Sequence, residues 1–136
     1  MEHVEKRLKN LSYALQRFNE SLTKFKSKTI AIDPELHNQI RDSVIKRFEF
    51  SVDLFWKCLK DHLKFTHGID VASPKSTLKE CLRQKLISEQ ELELLTAMID
   101  DRNNTSHCYE ESIIQEIAQR AYQYYKIMFE VKHRLK

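Results

Sequence analysis

The sequence predicts an all-α protein, an up-and-down bundle of four long helices with one additional short helix. Among its 136 residues there are one glycine and two prolines, too few for the turns that a β-sandwich or barrel needs about every 8 to 12 residues. Apolar residues instead recur at spacings of three and four, the period of an amphipathic helix. A chain of this length forms one domain, residues 1–136.

The scarcity of glycine also excludes two kinds of nucleotide site. A phosphate-cradling P-loop and a dinucleotide-binding turn each need at least two glycines. The three cysteines, Cys58, Cys81 and Cys108, are too widely spaced for a disulfide framework or a zinc site. We therefore expect no cofactor and no metal, so that side chains alone must carry any chemistry.

No window of the sequence is apolar enough to span a membrane, and no charged and apolar regions of a signal peptide stand at the N-terminus. These features predict a soluble cytoplasmic protein without a membrane partner.

The first helix is predicted from a regular apolar stripe that begins at Val4 and ends at Phe25. Spacings of four and three alternate along this stripe, as in a coiled coil. The second helix is predicted from about Pro34 to about Phe65, because Asp33 suits an N-cap and proline suits the first helical position.

The middle of the second helix is expected to lie at the centre of the core, buried on more than one side. Its large apolar residues include Phe48, Phe50, Phe55 and Trp56. A base-stacking platform is the alternative for these rings, but their helical spacing favours the core.

Two further helices are predicted between residues 73 and 99. Ser73 and Pro74 begin a short third helix that extends to Leu86. Ser88 and Glu91 match a capping box, which begins a fourth helix.

Seven polar residues, 100–106, follow without a periodic apolar position, and we expect a break between helices there. Asparagine, threonine and serine favour such a break because their side chains compete for backbone hydrogen bonds. A last helix follows, with Glu110 and Glu111 in its first turn and a final apolar position at Leu135.

The break contains Arg102, and His107 follows it. On an unbroken helix, residues five positions apart point in directions about 140° apart. A break between them would instead bring both residues to one end of the bundle. His107 would then lie near a helix N-terminus, which binds anions. Guanidinium binds phosphate and imidazole transfers protons, which together suit a phosphodiester. The alternative is that Arg102 pairs with Asp100 or Asp101 while His107 caps a helix.

The charge around Arg102 is unfavourable for RNA. Residues 89–116 carry one arginine against eight acidic residues, a net charge of −7. Because RNA affinity depends on phosphate contacts, basic residues between 57 and 85 must lie alongside in the fold or in a dimer. If they do not, the acidic face suits a partner protein.

One segment resembles the R-x4-H-x-Y signature of the HEPN superfamily: residues 101–111, DRNNTSHCYEE. It is specifically similar to the HepT-like group, described as substrate-binding partners of minimal nucleotidyltransferases. RFEF at 47–50, FWK at 55–57 and the Ser73-Pro74 pair agree with the same group. The resemblance covers about residues 36–111.

The resemblance implies a homodimeric, metal-independent endoribonuclease toxin of a type VII-like pair, in which two R-x4-H motifs meet across the subunit interface. Arg102 would bind the scissile phosphate of RNA, and His107 would act as general base or acid. Asn103 would position RNA, or is a turn residue. Tyr109 matches the tyrosine to which a minimal nucleotidyltransferase antitoxin transfers AMP, or packs its ring on the bundle end.

Two other functions stay open at this point. The chain could be a non-catalytic adaptor that presents substrate to a minimal nucleotidyltransferase. A helical dimer without a site is disfavoured, because residues 101–111 are dense in functional residue types.

Overall fold

The computed structural model describes residues 2–27, 33–107 and 110–135. Five α-helices make up these ranges: α1 (Glu2–Phe25), α2 (Pro34–His67), α3 (Pro74–Arg83), α4 (Glu89–His107) and α5 (Glu111–Lys132). No strand occurs within them. The predicted all-α class, four long helices and one short one, is confirmed. None of the helices described is both long and apolar enough to cross a membrane.

Helices α2, α3 and α4 begin with caps at the residues where the sequence predicts their starts. The Asp33 carboxylate accepts two hydrogen bonds from the first turn of α2, and Gly68 ends that helix at a φ of 66°, where a side chain would be strained. Ser73 forms a capping box at the start of α3. At the start of α4, Ser88 and Glu91 exchange hydrogen bonds of 2.9 and 3.1 Å.

The core forms around α2, which contacts each of the other four helices. Its central ring, Phe48, is fully buried. Phe48 stacks on Tyr124 of α5 with ring centroids 5.6 Å apart and contacts Phe18 of α1 at 6.2 Å. These three rings join the longest helices into one apolar centre.

Two local predictions are wrong. Phe50 is 62% exposed, because it lies about 200° around α2 from Phe48, on the side that faces away from the core. Leu86 lies beyond α3, which ends at Arg83. Lys85 turns the chain there with a φ of 62°, a conformation that no helix continues.

Candidate functional site

Helix α4 is continuous from Glu89 to His107, so the predicted break at 100–106 is wrong. His107 is the last residue of α4 and therefore lies at a helix C-terminus, not near the N-terminus that would favour an anion. The dipole of a helix places partial positive charge at its N-terminus and partial negative charge at its C-terminus. The helix-dipole argument for an anion site at His107 therefore does not apply.

The helix continues through residues 100–106 because polar side chains occupy its inward-facing side there. That face passes from apolar to polar side chains along the sequence: Leu95, Met98, Ile99, Asp101, Arg102 and Thr105. The polar members bind side chains of α2 and α5. A weak helix former costs at most about 0.7 kcal/mol per residue, and these contacts offset that cost.

The Arg102 guanidinium lies against α2 between two carboxylates. Its Nε and Nη2 donate to the two oxygens of Asp53, each at 3.1 Å. Its Nη1 donates to Glu49 at 3.1 Å and to the Ser106 hydroxyl at 2.8 Å. The Thr105 hydroxyl donates to the same Glu49 oxygen at 2.7 Å. The hydrogen bonds with Asp53, followed by its charge and that of Glu49, raise the pKa of Arg102, which stays a cation.

Arg102 has little capacity left for a ligand in this arrangement. Nε uses one N–H, Nη2 one and Nη1 two, which is four of the five donors of a guanidinium. With two carboxylates around one guanidinium, the cluster has a net charge of −1. A phosphate can therefore bind the Nη1–Nη2 edge bidentately only by displacing whichever of Glu49 and Ser106 occupies the Nη1 N–H on that edge.

Asp101, the preceding residue, faces α5 instead. Its oxygens accept hydrogen bonds from Nε and Nη2 of Arg120, both at 2.9 Å, and from the Tyr124 hydroxyl at 2.6 Å. Burial, together with the bond to Asp101, raises the pKa of Tyr124. Asp100 pairs with Lys75 of α3 at 2.6 Å. Arg102 therefore pairs with carboxylates of α2, and the alternative pairing with Asp100 or Asp101 is wrong.

Asn103 and His107 are exposed and lie one turn apart at the end of α4. The order of side chains around the axis is Arg102, Ser106, Asn103 and His107, over an arc of about 140°. We call these four residues the α4 arc. Arg102 and His107 thus mark its two edges and do not converge within one chain. Tyr109 lies outside the described residues.

Basic residues of α3 lie beside this acidic region. Helix α3 packs against α4 and carries Lys75, Lys79 and Arg83. The ion pair of Lys75 with Asp100 neutralises one of the acids. The segregation of charge along the sequence is therefore reduced in the fold.

The partners of Asp101 and Arg102 were missed by reasoning from the sequence: Glu49, Asp53, Arg120 and Tyr124. Glu49 and Asp53 lie one turn apart on α2, so a pair of acids beside the buried stripe was the available signal. Nothing comparable marks Arg120 or Tyr124, which stand in a segment with several tyrosines and no motif.

A family model described as nucleotidyltransferase substrate binding protein like matches residues 6–136. The chain belongs to this family. The membership in the HepT-like group of the HEPN superfamily that the sequence predicted is thereby confirmed. No curated protein matches the chain.

Solved structures with the same fold include the following two. A crystal structure of a protein from Thermus thermophilus is 31% identical with a TM-score of 0.81, and the match covers 93% of this chain and 98% of that one. The tri-AMPylated HEPN toxin of Shewanella oneidensis, in complex with its MNT antitoxin, is 12% identical with a TM-score of 0.75. That match covers 96% of this chain and 94% of the toxin.

Proposed function

We propose that the protein is a metal-independent endoribonuclease toxin that acts as a homodimer and is neutralised when a minimal nucleotidyltransferase antitoxin transfers AMP to Tyr109. Family membership and the HEPN toxin fold support this proposal. The observation that carries it is the α4 arc, which presents an arginine, an asparagine and a histidine together at one end of the bundle.

A second copy of the chain supplies what one copy lacks. His107 points away from the Arg102 of its own chain, because the two stand at opposite edges of the α4 arc. A two-fold axis passing through the arc would set Arg102 of one copy beside His107 of the partner subunit. The cytoplasm is the compartment in which such a dimer would meet RNA.

In the proposed reaction the 2′-oxygen of RNA attacks the adjacent phosphorus. One His107 removes the 2′-hydroxyl proton as the O2′–P bond forms, and His107 of the partner subunit protonates the leaving 5′-oxygen as the O5′–P bond breaks. Arg102 stabilises the charge that develops on the phosphate. Asn103, one turn from His107, donates a hydrogen bond to RNA. The products are a 2′,3′-cyclic phosphate and a 5′-hydroxyl.

AMP on Tyr109 would act by charge and bulk. Tyr109 follows His107 by two residues, so the added phosphate would stand close to the arc. A negative group at this place repels the phosphates of RNA and competes for Arg102.

Expression of the chain alone, with assays of growth and of RNA cleavage in EDTA, tests the proposal. We expect the wild-type chain to arrest growth and cleave RNA, and His107→Ala and Arg102→Ala each to lose activity by about 100-fold or more. Asn104→Ala, exposed on the same turn but outside the arc, is the matched control. A harmless wild-type chain that leaves RNA intact contradicts the nuclease.

Tyr109→Phe tests the regulation separately. With the nucleotidyltransferase and ATP present, we expect this variant to take up no AMP and to keep its nuclease activity. Undiminished AMP transfer to the variant would show that Tyr109 is not the acceptor.

A non-catalytic adaptor for a minimal nucleotidyltransferase is the second candidate. The observation that favours it is that Asp53, Glu49 and Ser106 occupy four of the five Arg102 donors. In that case the chain is harmless alone, and it accelerates nucleotide transfer by the nucleotidyltransferase in a mixture of the two.

A further inference from the structure

A groove lies between α1 and α2, directly beside the Arg102 cluster. Its volume is about 490 Å³, within the usual range for small-ligand sites. The lining includes Tyr13, Arg17, Lys46, Glu49, Phe50 and Asp53. Because Glu49 and Asp53 also hold Arg102, the groove is continuous with the candidate active site.

Two aromatic rings are exposed along this groove. Tyr13 is 59% exposed and Phe50 is 62% exposed, although most other large apolar residues of α1 and α2 belong to the core. A nucleobase that stacks on an aromatic side chain gains about 1–3 kcal/mol. Exposed rings next to a phosphodiester site are therefore suited to a base on either side of the scissile bond.

Cations line the same groove without being neutralised. The Arg17 guanidinium lies 5.2 Å from the centre of the Tyr13 ring. Within the ranges that the structure describes, neither Arg17 nor Lys46 forms an ion pair with a carboxylate. Arg41, in contrast, pairs with Asp42 and Glu111. The charges of Arg17 and Lys46 are thus available to phosphate.

We propose that this groove, which we call the α1–α2 groove, binds a nucleotide of single-stranded RNA next to the scissile phosphate. The base stacks on Tyr13 and Phe50, and the flanking phosphates contact Arg17 and Lys46. Aromatic platforms combined with cations are the usual means of binding single strands. The proposal rests on the proposed ribonuclease function, since it places the substrate of that same site.

Charge favours RNA over a second copy of the chain as the occupant. The lining carries three cations, Arg17, Lys46 and Arg47, while its two carboxylates are already paired with Arg102. An isologous contact centred on the groove would therefore bring an excess of like charge together. Like charges in an interface are unfavourable. A strand of RNA brings phosphates to these positions instead.

Binding of a fluorescein-labelled, fully 2′-O-methylated oligoadenylate tests the groove by fluorescence anisotropy. This RNA lacks the 2′-hydroxyl and cannot be cleaved, so its affinity is measured independently of nuclease activity. We expect the double variant Tyr13→Ala/Phe50→Ala to weaken binding by about tenfold or more. The control is Phe129→Ala, which removes another exposed ring, this one from α5, and should leave the affinity unchanged.

The salt dependence tests the cations. Arg17→Gln/Lys46→Gln is expected to weaken binding and to reduce the slope of log K against log salt concentration by about 1.4, for two phosphate contacts on a single strand. Thermal unfolding of each variant checks that the fold is retained, since all four side chains are at the surface.

Four outcomes separate the hypotheses. Weakened binding with an unchanged oligomeric state in sedimentation supports the groove. Unchanged affinity of both double variants overturns it, and so does a loss of binding that accompanies dissociation of a dimer, which would make the groove a contact between copies. A wild-type chain that binds through the groove but cleaves no RNA contradicts the nuclease and leaves the groove supported.

Discussion

Asp101 and Arg102 are adjacent in the chain, but they anchor α4 to different helices in different ways. The Asp101 side chain is 11% exposed and binds the buried Tyr124. Asp53, the main partner of Arg102, is 47% exposed. Loss of a buried acceptor leaves the buried group that binds it without a hydrogen-bond partner, whereas exposed ion pairs contribute little and exchange readily. The Asp101 cluster therefore fixes α4 in place, and the Arg102 cluster can admit a ligand.

The largest expected effect on stability comes from a substitution in the Asp101 cluster. Asp101→Asn should lower the free energy of unfolding by about 2–3 kcal/mol, because the amide keeps the shape but lacks the charge that Arg120 and the Tyr124 hydroxyl bind. Urea denaturation measures this change. Asp100→Asn is the matched control, since its ion pair with Lys75 is exposed and should contribute less than about 1 kcal/mol. Equal effects of the two substitutions would show that Asp101 holds α4 no more firmly than an exposed ion pair does.

A smaller effect, on substrate binding, is expected when the Arg102 cluster loses one of its charged partners. Glu49→Gln should lower the KM for RNA by about three- to tenfold, because a neutral amide competes less well with phosphate for Nη1 of Arg102. The free energy of unfolding should change by less than about 1 kcal/mol. Steady-state cleavage of a fluorogenic RNA measures KM, and Glu130→Gln on α5 controls for the change in net charge. A raised KM would mean that Glu49 positions Arg102 for catalysis.

The smallest effect is expected at a third ion pair, where α4 begins. Arg134 donates to both oxygens of Glu91 at 2.8 and 2.7 Å, and these bonds lower the pKa of Glu91 to about 2. A carboxyl group with a lowered pKa in the fold stabilises it above the ordinary pKa of 4.5, and this contribution is lost as the pH falls towards 2.

Urea midpoints at about pH 6 and about pH 3 measure this contribution. The wild-type midpoint should fall more on acidification than that of Glu91→Gln, which keeps the capping geometry but does not titrate. Parallel losses in the two proteins would show that Glu91 does not contribute to the acid sensitivity.

The parts of the fold that could be predicted from the sequence are those that local residues decide. Asp33, Ser73 and Ser88 cap helices through contacts within three residues, and apolar stripes mark the buried faces. The end of α4 could not be predicted in this way, because Arg102 finds Asp53 at a sequence separation of 49. Poor helix formers therefore stand in a helix that tertiary contacts maintain.

The candidate site was predictable as a set of residues but not as an arrangement. The R-x4-H-x-Y resemblance identified Arg102, Asn103 and His107, which stand together on α4. It contained no information on the partners of Arg102, nor on which side of α2 the other helices leave exposed to solvent. The exposure of Phe50 depends on which faces of α2 the other helices cover, and this is a property of the whole bundle.

The position of the α4 arc has a consequence for the evolution of such proteins. Asn103, Ser106 and His107 are exposed, while the contacts that fix the helix are made by Asp101 on its other side. On the proposed function, one or two substitutions among these three residues would abolish catalysis without unfolding the protein or changing its remaining surface. The proposed nuclease and an inert adaptor would then be neighbours in sequence space on this scaffold, and selection could move between them through folded intermediates at every step.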